Sequence, residues 1–189
     1  MIWTALVPLK PPATRKGRLA ERLSPAERER LSLALFERTV AVLDAVPAIG
    51  ATHLLSAERP DGWARPWSRD EGRGLNPELE AARAGLSATP LLVIHADLPL
   101  LEAADVAALL ACAEEHGCAI APDRHGEGTN AVAVLAHLPF RFAFGVGSFA
   151  RHAAQAGPAA RVDRPGLALD CDTPDDLDRA VAAGYRLPA

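Results

Sequence analysis

The chain has too few cysteines, in the wrong pattern, for a stapled or zinc-bound domain. Cys112, Cys118 and Cys171 are odd in number and form no C-x-x-C pair, which argues against a disulfide framework or a zinc knuckle. No apolar run reaches the length of a membrane span. The opening run from Met1 to Leu9 is short and carries no cleavable leader pattern, so the expected location is cytoplasmic. Positive charge is not in excess either. A net charge of -4 argues against a general nucleic-acid binder. Two phosphate-binding signatures, G-x-x-x-x-G-K-[ST] and G-x-G-x-x-G, are missing. His116, His125, His137 and His152 show no metal-ligand spacing and read as structural or surface residues.

What is present suffices for a folded core. Of 189 residues, 49% are apolar, which suits one domain spanning 1–189 with a sizeable interior and argues against disorder. Apolar runs read as strands at 2–8, 51–55, 91–94, 118–121 and 130–135, with two short ones at 161–163 and 167–169. Ser24 as N-cap, Pro25 at the first helical position and Glu27 in a capping box start a helix. It runs to about Val46, with Leu31, Ala34, Leu35, Val42 and Val46 on one face. Asn76-Pro77-Glu78 reads as a second helix start, and Glu102 to His116 as a helix ended by Gly117. Ser148 to Ala156 is a fourth helix, and Thr173-Pro174 caps a last one. Residues 56–74 read as an irregular polar excursion, in which Trp63 and Trp67 either form an exposed contact or pack the loop down. Strand and helix alternate with no repeat and no linker, which predicts a single-domain three-layer α/β/α fold with a mostly parallel sheet. Ligands collect at the carboxyl ends of strands in such folds.

Acidic residues stand at two such ends. Asp97 follows the run 91–94, and Asp170 and Asp172 follow the run 167–169. Alternation along a strand would turn Asp170 and Asp172 the same way and Cys171 to the core. Three carboxylates at one spot repel unless a cation lies between them. Oxygen ligands with little histidine favour Mg²⁺, and Mg²⁺ implies a phosphorylated substrate. The blander readings are a turn-forming Asp97 and acids that favour a helix N-terminus. The second explains Asp175 and Asp176 well and Asp170 poorly. His95, two residues before Asp97, reads as a packed histidine.

Anion contacts could come from three other places. Between Lys10 and Arg22 lie five cations, Lys10, Arg15, Lys16, Arg18 and Arg22, against the single acid Glu21. That loop is a triphosphate clamp or a solvated basic surface. Gly126 to Asn130 is either a backbone nest aided by the Thr129 hydroxyl or an ordinary hairpin turn. Phe144 to Ser148 is either an anion site before a helix or simple capping by Ser148.

In order, V-P-L-K, K-x-R-L, the S-P-A-E-R helix start, H-A-D-L-P, G-T-N, F-G-x-x-S and L-D-C-D-T-P-D-D-L resemble the CofC-type guanylyltransferases of coenzyme F-420 (deazaflavin) biosynthesis. The match covers nearly the whole chain, and its specificity lies in the joint order and spacing. The resemblance implies a nucleotidyltransferase fold and the coupling of GTP to a small phosphorylated three-carbon acid, with release of pyrophosphate. It implies Asp97, Asp170 and Asp172 as Mg²⁺ carboxylates and, with Lys10, as the catalytic set. It implies Thr129, Gly145 and Ser148 for the acceptor, and Lys10, Lys16, Arg18 and Asn76 for the nucleotide. Gly17 stands where the pattern leads one to expect serine, which removes a hydroxyl contact but not the clamp. Homodimerisation is a further family expectation, although no interface stripe marks it.

The acceptor is then phosphoenolpyruvate, 2-phospho-L-lactate or 3-phospho-D-glycerate, and the residues do not separate them. The bacterial-looking composition favours phosphoenolpyruvate. An ionised phosphate is already nucleophilic, so the missing histidine dyad or serine triad is expected. Two rivals remain at this stage. A nucleotidyltransferase for a sugar phosphate or molybdopterin usually has a Gly-rich loop after the first strand, where this chain reads Pro8-Leu9-Lys10-Pro11-Pro12. A non-catalytic GTP-binding domain would release no pyrophosphate.

Overall fold

The computed structural model describes residues 1–11, 16–86 and 88–188, so Arg15 and Pro12 lie outside the described residues. Six strands form one sheet: β1 (Trp3–Leu9), β2 (Ile49–Ser56), β3 (Trp67–Arg69), β4 (Leu91–Ile94), β5 (Cys118–Pro122) and β6 (Thr129–Val134). Their spatial order is β3-β2-β1-β4-β6-β5. β1 pairs in parallel with β2 and β4, and β2 with β3. Of these strands β6 alone is reversed, antiparallel to both β4 and β5. Five of the six strands thus run the same way.

Six helices accompany the sheet: α1 (Pro25–Asp44), α2 (Leu75–Gly85), α3 (Ala103–His116), α4 (Ser148–Ala156), α5 (Pro165–Ala168) and α6 (Pro174–Ala182). None is long and apolar enough to cross a membrane. Alternate strand residues serve the two faces. Ala5, Val7, Leu92 and Ile94 pack against Phe36, Val40 and Leu43 of α1 and Val106, Leu109 and Leu110 of α3. Leu6, Leu91 and Val93 pack on the other face against Leu79 and Ala82 of α2 and Phe140, Phe142 and Phe144. Burial on both faces is why the central strands read as unbroken apolar runs. These layers are the expected α/β/α arrangement. A smaller cluster, Leu19, Leu31, Leu35, Cys171 and Leu177, binds α6 and the segment after β1 to the start of α1.

Several local expectations are corrected. Residues 167–169 are not a strand: Pro165 starts the four-residue α5 there, and Arg161 contributes only one isolated bridge to Ile120. Asn76 is not a cap. Gly74 takes that position with φ 98°, and Asn76 lies inside the first turn of α2. The polar excursion hides β3, and its tryptophans pack inward. Trp63 meets Phe36 with ring centroids 5.6 Å apart, and Trp67 Nε1 donates to Ser56 Oγ at 3.0 Å. The buried stripe of α1 includes Phe36, Val40 and Leu43 in place of Ala34 and Val42. The expected capping box of Ser24 with Glu27 is present, and Glu102 with Asp105 and Thr173 with Asp176 form two more.

Gly166 in α5 has no room for a side chain. A Cβ there would overlap the Asp105 carboxylate and approach the Leu100 carbonyl oxygen to 2.7 Å. Asp105 cannot yield, because it accepts from the Glu102 N–H at 3.0 Å and from Arg164 Nε at 2.9 Å. Gly166→Ala is therefore expected to cost about 2 kcal/mol. The urea midpoint reads this directly; an unchanged midpoint would mean that α5 shifts freely.

Candidate active site

The reversed strand explains how distant residues meet. Because β6 runs backwards, its first residues lie beside the carboxyl end of β4. The His95 N–H donates to the Asn130 carbonyl at 3.0 Å, so Thr129 and Asn130 sit next to the segment that carries Asp97. Asn130 also reaches across, its Nδ2 donating to the carbonyls of Leu167 (3.0 Å) and Ala168 (3.2 Å) and approaching Asp170 Oδ1 at 3.5 Å. The Cys171 N–H donates to the Asp97 carbonyl at 3.0 Å. One backbone bond and the bridge through Asn130 thus bring the Asp97 and Asp170–Asp172 segments together. Cys171 points inward and is buried, as expected.

Lys16 occupies the space between two of the acids. Its Nζ lies 2.8 Å from Asp97 Oδ2 and 3.1 Å from Asp172 Oδ1. Lys16 is buried and adopts φ 53°, left-handed for a non-glycine residue. That conformation costs about 1–3 kcal/mol. Burying Leu19, three residues on, returns about 2 kcal/mol, and the two ion pairs hold the same segment. Burial opposes the Lys16 charge, yet Asp97 and Asp172 outweigh it and hold the ammonium above its ordinary range. Burial likewise pushes Asp97 up, but Lys16, His95 and Lys10 together hold it below the usual carboxylate range.

Among the described residues, no cation pairs with Asp170 in this way. Burial, then Asp97 and Asp172, push its carboxyl up to about 6. Among the described residues no three His, Cys, Asp or Glu side chains close around one point as a metal cluster; the Lys16 ammonium stands between two of the three expected. The donor set itself fits a hard divalent cation. It is all carboxylate, Asp97 Oδ1 is buried without a hydrogen-bond partner, and the Asp170 carboxyl is pushed up by burial and the two other acids. Asp97, Asp170 and Asp172 are the residues that could hold such an ion.

The remaining site residues divide. Lys10 is exposed at the end of β1 and acts electrostatically on His95 and Asp97. Arg18 is exposed in the 3₁₀ turn Gly17–Leu19. Asn76 binds the main chain of Phe144 at both ends, donating to its carbonyl at 3.0 Å and accepting its N–H at 2.7 Å. It therefore fixes the loop that carries Gly145. His95 packs against Phe144 with ring centroids 5.3 Å apart, as a packed histidine would.

The Gly126–Asn130 turn is no free nest. Asp123 Oδ1 accepts from the His125 and Glu127 N–H groups at 3.1 and 3.0 Å, and Oδ2 from Gly128 N–H at 2.9 Å. What remains for a ligand is the Thr129 hydroxyl. Ser148 is the first residue of α4, and Gly147, φ 66°, is its cap. Ser148 Oγ instead donates to Thr129 Oγ1 at 3.3 Å. Thr129, Ser148 and Gly145 are thus joined at one end of the sheet. Sequence reasoning missed Asn130 and His152, whose roles exist only in tertiary contacts. A cavity of about 740 Å³ lined by Arg38, Glu102, Asp105, Arg164 and Tyr185 contains none of the expected site residues. We place the site at the strand ends, where the acids, cations and hydroxyls converge.

Comparisons with known proteins give the family. The family model described as "Guanylyl transferase CofC like" matches residues 3–185. The chain is 41% identical to a phosphoenolpyruvate guanylyltransferase of Sphaerobacter thermophilus, covering 94% of this chain and 92% of that protein. It is 38% identical to a phosphoenolpyruvate guanylyltransferase of Rubrobacter xylanophilus, covering 95% and 94%. A solved nucleotidyl transferase from Methanothermobacter thermautotroptrophicus superposes with a TM-score of 0.68 at 16% identity, covering 97% of this chain and 99% of that one. That likeness speaks to the fold alone. The family match spans nearly the full chain, and the relatives match it almost end to end; the chain belongs to the CofC-like guanylyl transferase family.

Proposed function

We propose that this protein transfers GMP from GTP to phosphoenolpyruvate, with Mg²⁺, and releases pyrophosphate, supplying the activated phospho-acid for deazaflavin coenzyme assembly. The observation that carries this reading is the pairing of Lys16 with Asp97 and Asp172 at 2.8 and 3.1 Å, next to Asp170, whose carboxyl is pushed up by burial and the two other acids. Cation and carboxylates lie together at the strand ends, and the hydroxyl pair of Thr129 on β6 and Ser148 on α4 stands at the same end of the sheet. The names of the relatives support the acceptor.

Asp97, Asp170 and Asp172 would hold the metal, which supplies charge neutralisation between two phosphates when bound. Lys10, Lys16 and Arg18 place positive charge where negative charge grows on the leaving pyrophosphate. Thr129, Gly145 and Ser148 receive the acceptor. One of its ionised phosphate oxygens attacks the α-phosphorus of GTP, the bond to the β-phosphate oxygen breaks, and pyrophosphate departs with the electron pair. No proton needs to move, so positioning and charge are the chain's whole contribution.

Acceptor choice is tested by competing phosphoenolpyruvate, 2-phospho-L-lactate and 3-phospho-D-glycerate at equal concentration with GTP and reading the products by mass spectrometry. The phosphoenolpyruvate diester is expected to dominate; dominance of another product would reassign the acceptor. The metal assignment has its own test. Ion binding requires ionised Asp170, so protons compete as pH falls through about 6. The apparent Mg²⁺ affinity without nucleotide is expected to fall roughly tenfold from pH 7 to pH 5. Mg²⁺-induced shifts in Tm report it, and a flat profile would remove Asp170 from the ligand set.

A further inference from the structure

His152 is fully buried, yet the transfer reaction makes no use of it. Its ring stacks on Phe140 with centroids 5.6 Å apart and meets Phe144 edge-on at 4.9 Å. An apolar side chain would fill that space without two ring nitrogens to satisfy. Both nitrogens are in fact engaged. The Ala143 N–H donates to Nε2 at 2.9 Å, and Nδ1 lies 3.0 Å from Thr129 Oγ1. A backbone N–H can only donate, so Nε2 is the acceptor and the ring proton belongs on Nδ1. Burial, with Arg151 and His95 adding to it, pushes the imidazole down to about 4, which keeps the ring neutral with that one proton.

The consequence falls on Thr129. Its Oγ1 accepts from His152 Nδ1–H and from Ser148 Oγ, which fills both lone pairs of a hydroxyl and leaves its single O–H to donate. From the other side, Arg151 donates to the carbonyls of Ala143 (2.8 Å, from Nη2) and Val146 (2.7 Å, from Nη1), clamping the loop that holds Gly145. We propose that His152 is a positioning residue that, as its Nδ1–H tautomer, commits the Thr129 hydroxyl to donating towards an oxyanion of the acceptor. It thereby sets affinity for the phospho-acid without touching it. This inference rests on the reading of Thr129, Gly145 and Ser148 as acceptor contacts.

Two near-isosteric substitutions separate the two ends of the ring. Asparagine sets an amide N–H near the place of Nδ1–H and keeps the donor to Thr129. Glutamine reaches the place of Nε2 and keeps only the partner of Ala143. His152→Gln is expected to raise KM for phosphoenolpyruvate about tenfold, with KM for GTP within about twofold of wild type. His152→Asn is expected to keep KM for phosphoenolpyruvate within about threefold. Equal effects of the two variants, no effect of either, or a parallel rise in both KM values would overturn the proposal. Thr129→Val serves as the control. If it leaves KM for phosphoenolpyruvate unchanged, the acceptor reading fails; if it raises KM while His152→Gln does not, only the role of His152 fails. The tautomer is also read without any variant. Nitrogen NMR of the wild-type ring is expected to show Nδ1 protonated and Nε2 bare, and the opposite assignment would sink the idea.

Discussion

Asp97→Asn is expected to lower kcat/KM for guanylyl transfer by about three orders of magnitude. Such a loss corresponds to about 4 kcal/mol of transition-state stabilisation, the scale reached when a preorganised charge is removed from a dry site. On the proposed reading Asp97 carries that weight because one oxygen holds Lys16 and the other is left for the cation. Oδ2 holds Lys16 at 2.8 Å, and Oδ1 is buried with no partner of its own. Asparagine keeps the shape but removes the negative charge and offers an N–H to the Lys16 ammonium, which is a poor neighbour. The fold itself is held elsewhere, by the packing of α1, α2 and α3 on the sheet. Circular dichroism is therefore expected to stay native, with stability lowered by about 1–2 kcal/mol for the lost Lys16 pair, while pyrophosphate release collapses. A variant with more than a tenth of wild-type kcat/KM would take Asp97 out of the catalytic set.

Lys16→Met carries the second large effect, and it has two parts. Turnover is expected to fall about a hundredfold, expressed mainly in kcat/KM for GTP, because a buried point charge beside the departing phosphates is lost. Stability is expected to fall by about 2 kcal/mol when no divalent cation is present. Breaking a buried pair by removing one partner costs 3–5 kcal/mol; here the figure is discounted because Asp172 is 41% exposed and partly solvated. Methionine preserves the stem, so the loss reports charge and not volume. Mg²⁺ is expected to restore more Tm in this variant than in wild type, since Asp97 and Asp172 then face each other without a cation. Equal Mg²⁺-induced shifts in the two proteins would separate Lys16 from the metal site.

The elements with local chemistry were legible in the sequence. Ser24 and Glu27, Thr173 and Asp176, and Gly117 announce helix ends through their own side chains or backbone freedom. The run Leu91 to Ile94 announces a strand buried on both faces. The direction of β6 was not legible, because alternation carries no sign and an antiparallel strand reads like a parallel one. Yet that direction puts Thr129 and Asn130 beside the Asp97 segment. Residues 167–169 were misread because three apolar residues do not distinguish period 2 from period 3.6; Pro165 decides it by starting a helical turn.

The candidate site was legible by composition and not by geometry. The acids and the basic loop stand out, but the seating of Lys16 between Asp97 and Asp172 depends on a left-handed backbone that no motif marks. The glycines of 126–128 suggested an anion nest, and Asp123, from the same turn, takes those N–H groups itself. Asn76, expected near the nucleotide from the resemblance, holds the Phe144 main chain with its amide, a contact that no spacing in the sequence marks. His152 has no spacing signal at all, because its partners lie 9 and 23 positions away.

The central claim is that GMP moves from GTP to a phospho-acid at this site. The most direct measurement mixes the purified protein with GTP, Mg²⁺ and phosphoenolpyruvate and quantifies pyrophosphate and the GMP diester in the same reaction. The account predicts one pyrophosphate per diester formed, with neither product appearing when phosphoenolpyruvate is left out. Pyrophosphate without diester, or no pyrophosphate with any of the three phospho-acids, would contradict it.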